Sequence, residues 1–143
     1  MSHETASDRR PTLYRGGCHC AEVRFEAEID FAAGIGRCNC TLCVKRGGAG
    51  AIIKPAAFRL LAGAESLGEY QFGQKVGHYR FCKRCGIHVF GHGHLEQLGG
   101  DFVSVNVLAL DDIDPATLQY IYWDGRHDNW QAGPRPTPWP VAA

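Results

Sequence analysis

The sequence predicts an all-β domain, and three observations carry that expectation. Short segments alternate apolar and polar residues with the period of two that a half-buried strand needs, 18 glycines punctuate them, and no helix-length stretch is amphipathic. At 143 residues and 45% hydrophobic composition, the chain is sized for one domain with its own core.

Taken in order, residues 1–12 are polar, end near Pro11 and read as a disordered leader. In the first predicted strand, 23–29, Val23, Phe25, Ala27 and Ile29 alternate with Arg24, Glu26 and Glu28, as a sheet with one wet face requires. Further strands are expected at 49–53, 67–72, 77–81, 88–91, 102–108 and 118–123. The segment Phe102-Val103-Ser104-Val105-Asn106-Val107 repeats the alternation. Helical turns are expected at Pro55 and at Asp114-Pro115-Ala116-Thr117, where an acidic cap precedes a proline at the first position. Gly16-Gly17, Gly47-Gly48 and Gly99-Gly100 mark tight turns. Residues 132–143 hold four prolines and form an extended tail beyond the domain at 13–131.

Lysine plus arginine equal aspartate plus glutamate, 15 each, so no whole-chain field selects a nucleic acid or an anionic membrane. The first ten residues lack the apolar run of a secretory signal, and no stretch approaches the length of a membrane span. A cytoplasmic location is expected. In a reducing compartment seven cysteines, an odd number, point to metal rather than to disulfides.

Those cysteines fall into three groups: Cys18-His19-Cys20, Cys38-Asn39-Cys40-Thr41-Leu42-Cys43, and Cys82-Lys83-Arg84-Cys85-Gly86. A C-x-x-C-G knuckle turns two sulfurs toward one ion, and its glycine relieves the turn that follows. Seven thiols divide into a closed set of four and a set of three with one coordination position left over. Spacing alone leaves two divisions open. Cys40 and Cys43 could join Cys82 and Cys85, or Cys18 and Cys20 could join Cys82 and Cys85. The second keeps Cys38, Cys40 and Cys43 as a compact chelate on one loop, and compactness favours it. Arg37, Lys45 and Arg46 flank that loop, either as a solvated face or as cations that offset thiolate charge and attract a substrate carboxylate. Among the histidines, His19 and then His88 are the candidates to stand beside a metal ligand, while His78, His92 and His94 read as structural or surface residues. Tyr79, Phe81 and Phe90 read as core, and Trp123 and Trp130 as candidate pocket walls.

Three stretches together resemble the glutathione-dependent formaldehyde-activating enzyme (GFA) family, which includes centromere protein V. They are Gly16-Gly17-Cys18-His19-Cys20 leading into Val23-Arg24-Phe25, Cys38-x-Cys40-x-x-Cys43, and Arg80-Phe81-Cys82-x-x-Cys85-Gly86. Weaker matches are Val103 to Leu110 with Asp111, Tyr120-Ile121-Tyr122 and Trp130. Ala21 stands where the family usually has glycine. The resemblance implies an Mss4-like fold of short antiparallel sheets and ribbons around zinc-binding knuckles. It implies two zinc ions, a structural one on Cys18, Cys20, Cys82 and Cys85 and a catalytic one on Cys38, Cys40 and Cys43. The implied activity is that of a carbon–sulfur lyase, joining a small thiol such as glutathione to an aldehyde such as formaldehyde. The rival expectations are a zinc-stabilised protein-binding module and a zinc storage or delivery protein. Exposed strand edges admit a homodimer.

Overall fold

The computed structural model describes residues 11–142 and contains two sheets and one short helix. Strand β1 (Thr12–Gly17) pairs antiparallel with β2 (Arg24–Ile29), which pairs on its other side with β5 (Phe58–Ala62). The second sheet has the order β10-β3-β4-β9-β8-β7-β6. Its members are β3 (Ile35–Cys38), β4 (Gly50–Ile53), β6 (Leu67–Tyr70), β7 (Gly77–Cys82), β8 (His88–Leu95), β9 (Gly100–Asn106) and β10 (Tyr120–Trp123). All its pairings are antiparallel except that of β10 with β3, which is parallel. Helix α1 (Thr41–Arg46) follows β3 directly. No helix among the described residues is long and apolar enough to cross a membrane.

The alternation read at 23–29 sets the core. Val23, Phe25 and Ala27 are fully buried and Ile29 nearly so, and Val103 and Val105 of the other sheet, with Val107 in the 3-10 turn that follows β9, face the same interior. Phe58 bridges the two, with its ring 5.4 Å from Phe25 and 4.6 Å from Phe90. Each such aromatic adds roughly 2–3 kcal/mol of burial. On the opposite face the expectation needs one correction. Glu26 is buried, because β2 is the central strand of its sheet and Arg15 and Arg59 from the flanking strands close over its carboxylate.

The anticipated helical turns are single 3-10 turns, Pro55–Ala57 and Pro115–Thr117, and the Asp114 carboxylate accepts from the Ala116 N–H at 3.0 Å. The described part of the expected leader includes Thr12, which already pairs with Ile29 in β1, and residues 1–10 lie outside the described residues. The proline-rich segment lies back along the molecule. Arg135 exchanges backbone hydrogen bonds with Tyr122, and the Trp139 indole donates to the Tyr122 carbonyl.

Candidate metal centres

Cys18 and Cys20 sit in the turn between β1 and β2, while Cys82 ends β7 and Cys85 lies in the turn before β8. The folded chain gathers these four sulfurs within 4.8 Å of one another. The Cys18–Cys20 and Cys20–Cys82 separations are 3.6 and 3.7 Å. A tetrahedral zinc with each sulfur at about 2.3 Å sets the sulfurs about 3.8 Å apart, so the donor set fits such an ion in both number and spacing. The knuckle closes as its sequence implies. The Gly86 N–H donates to the Cys82 carbonyl at 2.8 Å, and Gly86 holds φ +79°, where a side chain is strained. On the other knuckle the Val23 N–H donates to Cys18 Sγ at 3.3 Å. Ala21, in the position where glycine was expected, takes φ +69°.

Cys38, Cys40 and Cys43 form a separate group, also within 4.8 Å of one another, and stand apart from Cys82 and Cys85. Cys38 ends β3, Cys40 caps α1 by accepting from the Cys43 N–H at 3.4 Å, and Cys43 lies one turn into the helix. Hydrogen bonds from Cys38 and then Cys43, aided by the backbone amides of Cys43 and Leu42, pull the Cys40 thiol down to about 2, while hydrogen bonds with Cys38 and then Cys40, and burial, push Cys43 up. Three crowded sulfurs cannot all ionise unless a cation joins them, and a divalent ion resolves that conflict.

The loop that carries these sulfurs is clamped by residues to which the motif reading gave no role. Asn39 is buried; its amide donates to the Asp124 carboxylate at 2.7 Å and to the Pro140 carbonyl at 3.0 Å, and its side-chain oxygen accepts from the Arg126 N–H at 2.9 Å. Asp124 is also held by His127 and Asn129. Next to it, Gly125 passes so close to Cys38 that a Cβ there would lie 2.5 Å from the sulfur. An asparagine between two cysteines was the only local sign of this clamp, because its partners lie more than 80 residues away.

Cys38 and Cys43 line a cleft of about 180 Å³ together with Arg37, Arg46, His88 and Trp123, among others. Both guanidinium groups lie over rings, Arg37 at 4.7 Å from Tyr120 and Arg46 at 5.1 Å from Tyr79. Nε of Arg37 and both Nε and Nη1 of Arg46 are buried without a hydrogen-bond partner among the described residues. Nη2 of Arg46 lies 3.8 Å from Cys43 Sγ. Lys45 is exposed. The histidines exchange places relative to the expectation. His19 is exposed, in the turn between β1 and β2, whereas His88 lines the cleft. Trp123 forms part of the wall; Trp130 is exposed, with its ring 6.1 Å from that of Trp123.

Known proteins bear out the resemblance. The crystal structure of a Rhodobacter sphaeroides protein superposes with a TM-score of 0.68 at 33% sequence identity, covering 76% of this chain and 98% of that one. The family model described as glutathione-dependent formaldehyde-activating enzyme matches residues 13–124, a span that holds all seven cysteines and ends at Asp124. The chain belongs to the glutathione-dependent formaldehyde-activating enzyme family.

Proposed function

We propose that this chain is a zinc-dependent enzyme of the carbon–sulfur lyase type, which joins a small glutathione-like thiol to an aldehyde such as formaldehyde at Cys38, Cys40 and Cys43. The observation that carries the reading is a three-thiol cluster, two of whose members line a cleft together with Arg37 and Arg46, whose buried guanidinium nitrogens lack hydrogen-bond partners among the described residues. A zinc ion held by the three sulfurs would supply a Lewis acid with a fourth position for a thiol or a carbonyl oxygen. The second zinc would be structural, on Cys18, Cys20, Cys82 and Cys85.

The chain's own residues account for the choice of substrate. Buried donors without a partner carry a desolvation cost that an anionic ligand removes, and a planar guanidinium suits a carboxylate. Arg37 and Arg46 therefore hold a carboxylate of the thiol substrate, and Arg46 also offsets the charge on Cys43. His88 is pushed down to about 3 by burial and by Arg46, so at neutral pH it is an uncharged wall of the cleft that leaves the arginines as its cations. The reaction is an addition. The substrate sulfur forms a bond to the aldehyde carbon, the carbonyl π pair moves to oxygen, and the proton lost by the thiol ends on that oxygen.

The test is exchange NMR of glutathione with formaldehyde, for the wild type and for Cys40→Ser. Exchange faster than the uncatalysed reaction in the wild type, and lost in the variant, is expected. An uncatalysed rate in both would replace this reading with that of a zinc-stabilised binding module.

A further inference from the structure

A third group of ligating side chains lies away from all seven cysteines. Glu69 on β6, His78 on β7 and His92 on β8 project from adjacent strands to one face, and their donor atoms fall within 4.8 Å of one another. The register explains the convergence. His78 pairs directly with His92, and Glu69 pairs with Arg80, two residues along β7 from His78, so all share one side of the sheet.

We propose that Glu69, His78 and His92 form a binding site for a borderline divalent transition-metal ion, with two nitrogens and one carboxylate oxygen as protein ligands and the remaining positions open. Nδ1 of His78 lies 3.0 Å from Oε1 of Glu69, and Nε2 of His92 lies 4.0 Å from the same oxygen. Ligands about 2.0–2.2 Å from an ion stand roughly 3–3.5 Å apart, so the His92–Glu69 edge must close by about half an ångström. The two imidazoles are stacked, with ring centres 4.5 Å apart and planes 3° apart, and stacked rings cannot both aim a lone pair at one ion, so binding must turn the ring of half-exposed His92 out of the stack.

The surroundings define what an ion must displace and where it would open. The Gln71 amide nitrogen lies 3.3 Å from Nε2 of His78 and donates to it, which places the ring proton on Nδ1 toward Glu69, and an ion bound there takes the place of that proton. The open side borders a cleft of about 580 Å³ lined by His78, His92, His94, Asp101 and Lys75, among others, with room for water or a ligand on the ion. Arg80, whose Nε lies 3.9 Å from Glu69 and donates to the Gly68 carbonyl at 3.3 Å, is the competing cation. Two imidazoles and a carboxylate suit zinc, cobalt, nickel or ferrous iron rather than magnesium or calcium.

The experiment adds cobalt(II) to the whole chain with its cysteine centres saturated with zinc. The expected result is one further ion per chain, giving weak visible bands without the intense near-ultraviolet absorption of a thiolate–cobalt centre, and broadening the imidazole resonances of His78 and His92 but not those of His127. His78→Ala and Glu69→Gln should each weaken that binding by at least about tenfold. Should His78→Ala prove unstable, His92→Gln reads the same ligand loss. Retention of the extra ion in folded variants, no extra ion in the wild type, or thiolate bands from displaced zinc would each overturn the site.

Discussion

At the scale of single residues, two backbone positions beside the cysteines carry sharp consequences. Gly125 lies against Cys38, and a methyl group there would sit 2.5 Å from the sulfur and 2.8 Å from the Trp130 ring. Gly125→Ala must therefore displace Cys38, and overpacking of this kind costs about 1–3 kcal/mol. We expect the variant to fold but to surrender the zinc proposed for the three-cysteine centre to a chelator sooner than the wild type, as measured by release into a colorimetric zinc indicator. Ala21 gives the opposite case. Its φ of +69° lies in the left-handed region, which costs an L-residue roughly 1–2 kcal/mol and glycine almost nothing. Part of the gain from Ala21→Gly returns as entropy of the unfolded chain, so a net stabilisation of about 0.5–1 kcal/mol is expected in denaturant titration. The departure of Ala21 from the family pattern is thus a strained turn beside Cys20, explained only by its dihedral angle.

At the scale of elements, the β-bulge between β7 and β8 does the most to build the site. Arg80 pairs with Phe90 but Phe81 with His88, so Val89 is the extra residue, and the bulge lets Val89 and Phe90 both enter the core while His88 faces the cleft. Burial and Arg46 hold His88 down at about 3, far below an unfolded histidine near 6.5. The native state then binds fewer protons than the unfolded state between those values, so stability rises with pH across that window. Acidification from about pH 6.5 towards 3 should destabilise the wild type by up to one proton's worth of slope, and His88→Gln should flatten that part of the curve, as followed by urea midpoints at a series of pH values. Sequence reasoning placed the strand but not the bulge, since an extra residue leaves no mark in a short apolar run. For similar reasons β1, β3 and β5 were not anticipated. Leu13 and Leu61 are exposed and blur the alternation, and β3 has four residues, one of them glycine. Helix α1, with six residues, is too short to show a helical period.

At the scale of the whole molecule, the two sheets are joined by a shared aromatic core and by the four-cysteine cluster, which ties the β1–β2 turn to the β7–β8 turn. The cysteine pairs were legible because both halves of each knuckle are local. Which pairs meet was not legible from spacing, because Cys20 and Cys82 are 62 residues apart and approach only when the sheets pack. The clamp of Asn39 on Asp124, and the approach of Pro140 behind it, were hidden for the same reason. The two clusters should therefore differ in what their loss does. In the proposed assignment the four-thiol ion crosslinks distant segments, and an ion of that kind contributes on the order of 10 kcal/mol to folding. The three-thiol ion sits on one loop that protein hydrogen bonds already hold from behind. Cys82→Ser should leave a chain that is largely unfolded at 25 °C, whereas Cys40→Ser should keep its near-ultraviolet circular dichroism and most of its melting temperature while binding one zinc fewer. Chelator titration of the wild type should likewise proceed in two steps. The first ion should leave with the fold intact, and the second should leave together with the cooperative loss of tertiary signal, because the exposed Arg84–Glu22 ion pair that also spans the β1–β2 and β7–β8 turns is too weak to hold them.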